Sequence, residues 1–189
     1  MALLRSLCAP FGLLVFLGCG LFQTRPPEDP FADSGGYRPP ETPEIALENL
    51  QYAISQLNTQ NYLRGLSSAF RYTPSAPALS RNPTLWGGWG LEQEAAYVQN
   101  LRLSAGDQSG HRLSLSERRD DPGSDRYVIT ARYSLLIQHR RPDVPTVAEG
   151  RLSLLLVREN DGLWRIREWT DTALEDRFSW SDLRAAFAR

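Results

Sequence analysis

Lysine is absent from this chain. All 21 basic residues are arginine, which excludes lysine chemistry such as Schiff-base formation. Cysteine is almost absent: Cys8 and Cys19 both fall in the first 20 residues. A chain that loses such a leader keeps no internal disulfide, and the pair lacks the ligand spacing of a zinc site. Histidine is limited to His111 and His139. They are isolated from each other, so no metal is expected. The net charge of -1 argues against a nucleic-acid partner, because phosphate neutralisation needs a basic surplus. No run of like charge forms a tail. No G-x-S-x-G elbow, phosphate loop or histidine-rich cluster is present, and no cofactor is implied.

What remains is 189 residues, 41% hydrophobic and 23% charged, the composition of one globular domain with extra segments. Near the amino terminus, Arg5 precedes an apolar run over residues 6–17. A positive n-region followed by an apolar stretch of roughly 7–15 residues is the pattern of a secretory signal. A spanning helix needs about 20 apolar residues, and Pro10 and Gly12 weaken this one as a helix interior. Its end, Phe16-Leu17-Gly18-Cys19, resembles a bacterial lipobox, with Phe16 where Leu is usual and Leu17 where a smaller residue is usual. The resemblance implies that residues 1–18 are a lipoprotein signal peptide and that Cys19 becomes the first residue of the mature chain. There it would carry diacylglycerol on its thiol and an acyl chain such as palmitate on its amine. Each buried CH2 contributes roughly 0.8 kcal/mol, so several acyl chains hold a domain stably at a bilayer. The membrane is thus an expected partner through lipidated Cys19. Gly20, not Asp, follows the cysteine, which in bacteria that sort lipoproteins implies the outer membrane, facing the periplasm. An ordinary cleaved signal and an uncleaved anchor are the alternative readings.

Residues 19–41 are rich in proline and lack periodicity. They are expected to form an extended or disordered tether rather than a core. From residue 42 the pattern changes. Thr42 suits an N-cap, Pro43 the first helical position and Glu44 the first turn. Leu47, Leu50, Ile54 and Leu57 then form one helical stripe. A second short helix is predicted over 59–67, a short strand over 69–74, a loop over 75–90 and a helix from 91 to 103, with Leu91, Ala95 and Val98 on one face. Strands follow at 111–118, 126–139, 146–160 and 163–173, separated by turn residues. On the second of these, Tyr127, Ile129, Ala131, Tyr133, Leu135 and Ile137 share a face. On the third, Leu152, Leu154 and Leu156 do; on the last, Trp164, Ile166 and Glu168. A helix over 181–188 pairs Leu183 with Phe187.

Helices followed by antiparallel strands specify an α+β, two-layer fold. The order resembles the nuclear transport factor 2-like, or cystatin-like, fold: a curved antiparallel sheet packed on amino-terminal helices to make a cone. The opening helix pair and strand, residues 46–73, and the closing turn and Trp-x-Ile strand, residues 161–171, carry the resemblance, which covers 42–175. The domain is accordingly placed at 42–189. The superfamily includes ketosteroid isomerases and SnoaL-like polyketide cyclases, with acid-base residues lining the cone. Where the isomerase pattern has Asp-Pro at the end of the first strand, this chain has Thr73-Pro74. Tyr52, the nearest match to a pocket-facing tyrosine on the first helix, falls opposite the leucine stripe.

No catalytic set is therefore assigned. Glu168 is the weak candidate for a general base, because burial would raise its pKa; the plain alternative is pairing with Arg102 or Arg132. A pocket, if present, would involve Trp86, Trp89, Tyr133, Trp164 and Glu168. Trp86 and Trp89 would form an aromatic lip for an apolar or glycan ligand. Alternatively, Trp89 staples the start of the following helix while the glycines turn the loop. Val128, Leu136, Leu155, Val157 and Trp169 leave the outer sheet face apolar, which points to a covering helix or a homodimer through the sheet. The leading expectation is a lipid-anchored envelope protein with a non-catalytic ligand- or partner-binding domain. The alternatives are a small-molecule isomerase, cyclase or dehydratase using Glu168, and a structural assembly subunit whose cone is plugged.

Overall fold

The computed structural model describes residues 36–188, which lie within one compact unit, Phe31–Arg189. The expected signal peptide over 1–18, Cys8, Cys19 and most of the expected tether over 19–41 fall outside the described residues. The last residues of the expected tether are docked rather than free: the Arg38 backbone N–H donates to Asn49 Oδ1 at 3.1 Å and Asn49 Nδ2 returns a bond to the Arg38 carbonyl at 2.6 Å. Pro40 is buried, and its carbonyl accepts from Trp164 N–H at 2.7 Å.

The order of elements is α1 (Pro43–Ser55), α2 (Thr59–Arg64), β1 (Leu66–Thr73), α3 (Ala76–Arg81), α4 (Leu91–Ala105), β2 (Arg112–Pro122), β3 (Arg126–Leu136), β4 (Val147–Arg158), β5 (Trp164–Ala173) and α5 (Trp180–Phe187). Thr42 caps α1, its side chain accepting from Ile45 N–H, and Pro43 opens the helix where its missing N–H costs nothing. The predicted stripe is buried throughout, with Leu47, Leu50, Ile54 and Leu57 each at most 5% exposed, and Tyr52 faces away. Where the sequence predicts only a loop, α3 forms over Ala76–Arg81, with a proline in its first turn.

The sheet runs β1-β5-β4-β3-β2. β1 pairs with β5 in parallel and the other neighbours are antiparallel. Its concave face carries the predicted alternation in β3 and β4: Ile129, Ala131, Tyr133 and Leu135 on one strand and Leu152, Leu154 and Leu156 on the next are buried. Tyr133 lies directly opposite Gly150. A Cβ at Gly150 would sit 2.4 Å from the Tyr133 hydroxyl and 2.8 Å from the Thr172 carbonyl, so only glycine lets the ring lie across β4.

The alternation fails in β5. Leu156 pairs with Ile166 but Leu155 pairs with Glu168, which leaves Arg167 as an extra residue in a β-bulge. A bulge reverses the facing of every residue beyond it. Trp164 and Ile166 point inward as predicted, but Glu168 turns outward and Trp169, expected on the outer face, is fully buried. Asp171 is carried inward with it at 2% exposure. The outer face therefore lacks Trp169 and keeps only Val128, Leu136, Leu155 and Val157 of the expected apolar set.

Candidate functional site

The interior of the cone is occupied by α5. Ser179 caps this helix: its N–H donates to Asp182 Oδ2 at 2.8 Å and its Oγ accepts from Asp182 N–H at 3.2 Å. Trp180, Leu183, Arg184 and Phe187 recur at i, i+3, i+4 and i+7 and are all at most 2% exposed. Two polar clusters hold the helix in place.

The first cluster joins α5 to α4. Arg184 and Glu94 are both fully buried. Arg184 Nε donates to Glu94 Oε1 at 3.1 Å and Oε2 at 3.0 Å, and Nη2 donates to Oε1 at 2.7 Å. The Tyr62 hydroxyl donates to Oε1 at 2.6 Å and Trp89 Nε1 to Oε2 at 2.7 Å. Arg184 Nη1 has no hydrogen-bond acceptor among the described residues. Its guanidinium instead stacks 3.9 Å from the Tyr72 ring centroid and 4.6 Å from that of Trp169, where the ring faces attract a cation. Burial disfavours the Arg184 charge, but Glu94, Tyr72 and Tyr62 outweigh it and hold the pKa well above its ordinary value. A buried charge requires this kind of pairing and hydrogen bonding.

The second cluster joins α5 to the sheet. Asp171 Oδ2 accepts from Ser181 N–H at 2.8 Å and from Ser181 Oγ at 2.5 Å, and Oδ1 accepts from the Tyr133 hydroxyl at 2.8 Å. The Tyr133 oxygen accepts from Trp180 N–H at 2.7 Å. Tyr72 Oη lies 2.7 Å from Ser181 Oγ, and Ser75 N–H donates to the same oxygen at 2.9 Å. Because Ser181 Oγ gives its proton to Asp171, Tyr72 is the donor of their shared bond. The Asp171 carboxylate thus meets the positive end of α5 and satisfies a first-turn N–H. Burial is the main reason the pKa values of Tyr62, Tyr72, Tyr97 and Tyr133 are raised, which keeps all four hydroxyls protonated.

Both interior carboxylates are consequently engaged in docking α5. A cavity beside α5, lined by apolar groups including Leu57, Leu101, Leu135 and Trp180, holds about 10 Å³, at the limit for a single water.

No protein-family profile matches the chain, and no curated protein does. Solved structures do. A protein of Novosphingobium aromaticivorans proposed to be an aromatic ring hydroxylase is 12% identical, with TM-score 0.55, over 75% of this chain and 92% of that one. A nuclear transport factor 2-like protein of Cytophaga hutchinsonii is 12% identical, with TM-score 0.52, over 68% and 93%. A nuclear transport factor 2-like protein of unknown function in nutrient uptake from Rhodospirillum rubrum is 11% identical, with TM-score 0.52, over 69% and 97%. This chain has the nuclear transport factor 2-like fold. At these identities the likeness carries the architecture alone.

Within this nuclear transport factor 2-like cone, the expected site residues are not brought together. Glu168 lies exposed on the outer face. It pairs with neither Arg102, which bonds the Gly106 carbonyl, nor Arg132, which sits on β3. Trp86 and Trp89 form no lip. Both are buried and pack at 4.8 Å between centroids, and Trp86 Nε1 donates to the Ala78 carbonyl at 3.1 Å. Trp89 does occupy the staple position before the Gly90 cap of α4, but it reaches Glu94 by a hydrogen bond rather than an apolar contact. Gly88 supplies the turn between the tryptophans at φ +75°. Tyr133 is buried within the Asp171 cluster, and Trp164 packs edge-on to Tyr127 at 6.4 Å. His111 and His139 are both buried, at 6% and 7% exposure. Among the described residues no cluster could hold a metal, and no helix is long and apolar enough to cross a membrane.

The residues that organise the interior of the cone, Glu94, Asp171 and Arg184, are not among the expected site residues. Glu94 shares the buried α4 face with Tyr97, Val98, Leu101 and Ala105. A charge at i with apolar partners at i+3, i+4, i+7 and i+11 was the available signal. Arg184, four residues after Trp180 and three before Phe187, carried the same signal on α5.

Proposed function

We propose that this protein is a lipid-anchored envelope protein whose domain is non-catalytic and binds through its outer surface rather than through its cone. The observation that carries this reading is the occupancy of the cone by α5, which ties Glu94 and Asp171 into fixed hydrogen bonds. A general base needs a free lone pair within reach of a substrate proton. Both interior carboxylates already accept protein donors, and the cavity beside α5 admits no substrate. Glu168, required by the isomerase or cyclase alternative, stands outside. Anchoring rests on the lipobox-like run ending at Cys19, and the outer membrane on Gly20 after it.

Two measurements test the proposal. Cys19→Ser abolishes labelling by a palmitate analogue in the producing cells; labelling that persists removes the anchor. Native mass spectrometry of the full chain shows the protein mass without a bound small molecule. A co-purifying ligand that protects cone residues from hydrogen exchange would return the enzyme and ligand-binding readings to the front.

A further inference from the structure

The convex side of the sheet carries a band of arginine, serine and threonine. Its central rows follow from the pairing register. One row crosses Ser116, Arg132, Arg151 and Thr172. The next crosses Arg119, Thr130, Ser153, Thr170 and Thr73. Every side chain in these two rows is a guanidinium or a hydroxyl.

Arg132 and Arg151 stand directly opposite each other on β3 and β4, an arrangement that destabilises an antiparallel pair unless an anion lies between the charges. The bulge in β2, with Glu117 at φ +49°, brings Arg119 into the same band and sends Glu117 to Arg151. Glu117 is the only carboxylate of the band, against three arginines. Among the described residues, no carboxylate pairs with Arg119 or Arg132, and both are exposed. Of the other carboxylates on this side, Glu149 is taken by Arg177 at 3.4 Å, and Asp121 and Glu168 lie in the row beyond, beside Val128 and Leu155.

We infer that this band is a docking surface for the anionic phosphodiester headgroups of the bilayer to which the protein is tethered. It deepens the proposed function and rests on it for the nearness of the membrane. A close-set array of guanidinium and hydroxyl donors matches the phosphate oxygens of a headgroup layer. It does not match a protein partner, whose interface core is depleted in charge and centred on aromatic or aliphatic anchors; neither row has one. A tether of about 20 residues has a root-mean-square reach of roughly 25 Å, which holds the domain at high effective concentration over the headgroups.

The test compares the full-length chain on phosphatidylcholine vesicles with and without 30 mol% phosphatidylglycerol. The lipid anchor on Cys19 acts alike on both, and the comparison of the parent with a double variant isolates the sheet face. The parent prefers the anionic vesicles, and 0.5 M NaCl removes the preference. Arg119→Gln with Arg132→Gln lowers it by roughly 30-fold, from about a factor of five per arginine at a charged headgroup surface. Neither side chain is engaged in the fold, so the variant stays folded. Equal binding to both vesicles, or an unchanged preference in the double variant, overturns the inference. Loss of the preference to millimolar inorganic phosphate would also overturn it, assigning the band to a soluble anion. Palmitate labelling of Cys19 is scored on the same samples, so a failed anchor is told apart from a failed surface.

Discussion

Replacing Arg184 with methionine keeps an unbranched side chain in the core but removes its charge. Glu94 loses three bonds, from Nε at 3.1 and 3.0 Å and from Nη2 at 2.7 Å, and keeps only those from Tyr62 and Trp89. Breaking one side of a buried ion pair costs about 3–5 kcal/mol, because the remaining charge is left buried without compensation. For a domain of this size that lowers the melting temperature by roughly 6–20 °C. Neutralising the partner as well, in Arg184→Met with Glu94→Gln, removes the stranded charge, so the double variant is more stable than the single one. Denaturant unfolding of the parent, both single variants and the double variant closes the thermodynamic cycle. A cost below about 1 kcal/mol for Arg184→Met, or strictly additive effects, would show that the pair is solvated. The cone would then be open, and the reading of α5 as its permanent occupant would fail.

Gly150→Ala forces the Tyr133 ring off β4, since the new methyl would lie 2.4 Å from its hydroxyl; overpacking of this kind costs roughly 1–3 kcal/mol. It also breaks the Tyr133 bond to Asp171, so hydrogen exchange in α5 speeds up more than in α1; equal protection in both helices would refute the coupling. His111 yields a pH dependence. Its Nδ1 accepts from Gln138 N–H at 3.1 Å, which requires a neutral ring, and burial lowers its pKa below 6.5. Its contribution is therefore complete above pH 6.5 and declines as pH falls below that value toward the folded pKa. His111→Gln flattens this decline, and parallel stability profiles for the two proteins would contradict it.

How much of this was legible in the sequence depends on the range of the signal. The α1 cap and stripe, the β3 and β4 alternation and the α+β order rest on neighbours within a few residues, and the structure reproduces them. The final strand did not obey its own alternation. An extra residue at Arg167 is accommodated only because β4 pairs on both sides of it, and no local pattern in "WRIREWTD" marks where the register slips. That one residue moved Glu168 out of the cone and carried Trp169 and Asp171 in, reversing the expected site. The helix over Ala76–Arg81 was hidden by the loop-like density of proline and serine around it.

The sequence by itself determined the layered α+β architecture, the helix faces and the identity of Cys19 as the residue to test for lipidation, because periodicity, capping and processing signals are local. Only the tertiary structure decided that the cone is filled. Glu94 and Arg184 are 90 residues apart, and each alone looks like an ordinary solvated charge on a helix. Their burial is tolerable only when both arrive in the same apolar space, between Tyr72, Trp89 and Trp169. That condition is set by how the sheet curves and where α5 lands, which no single segment encodes.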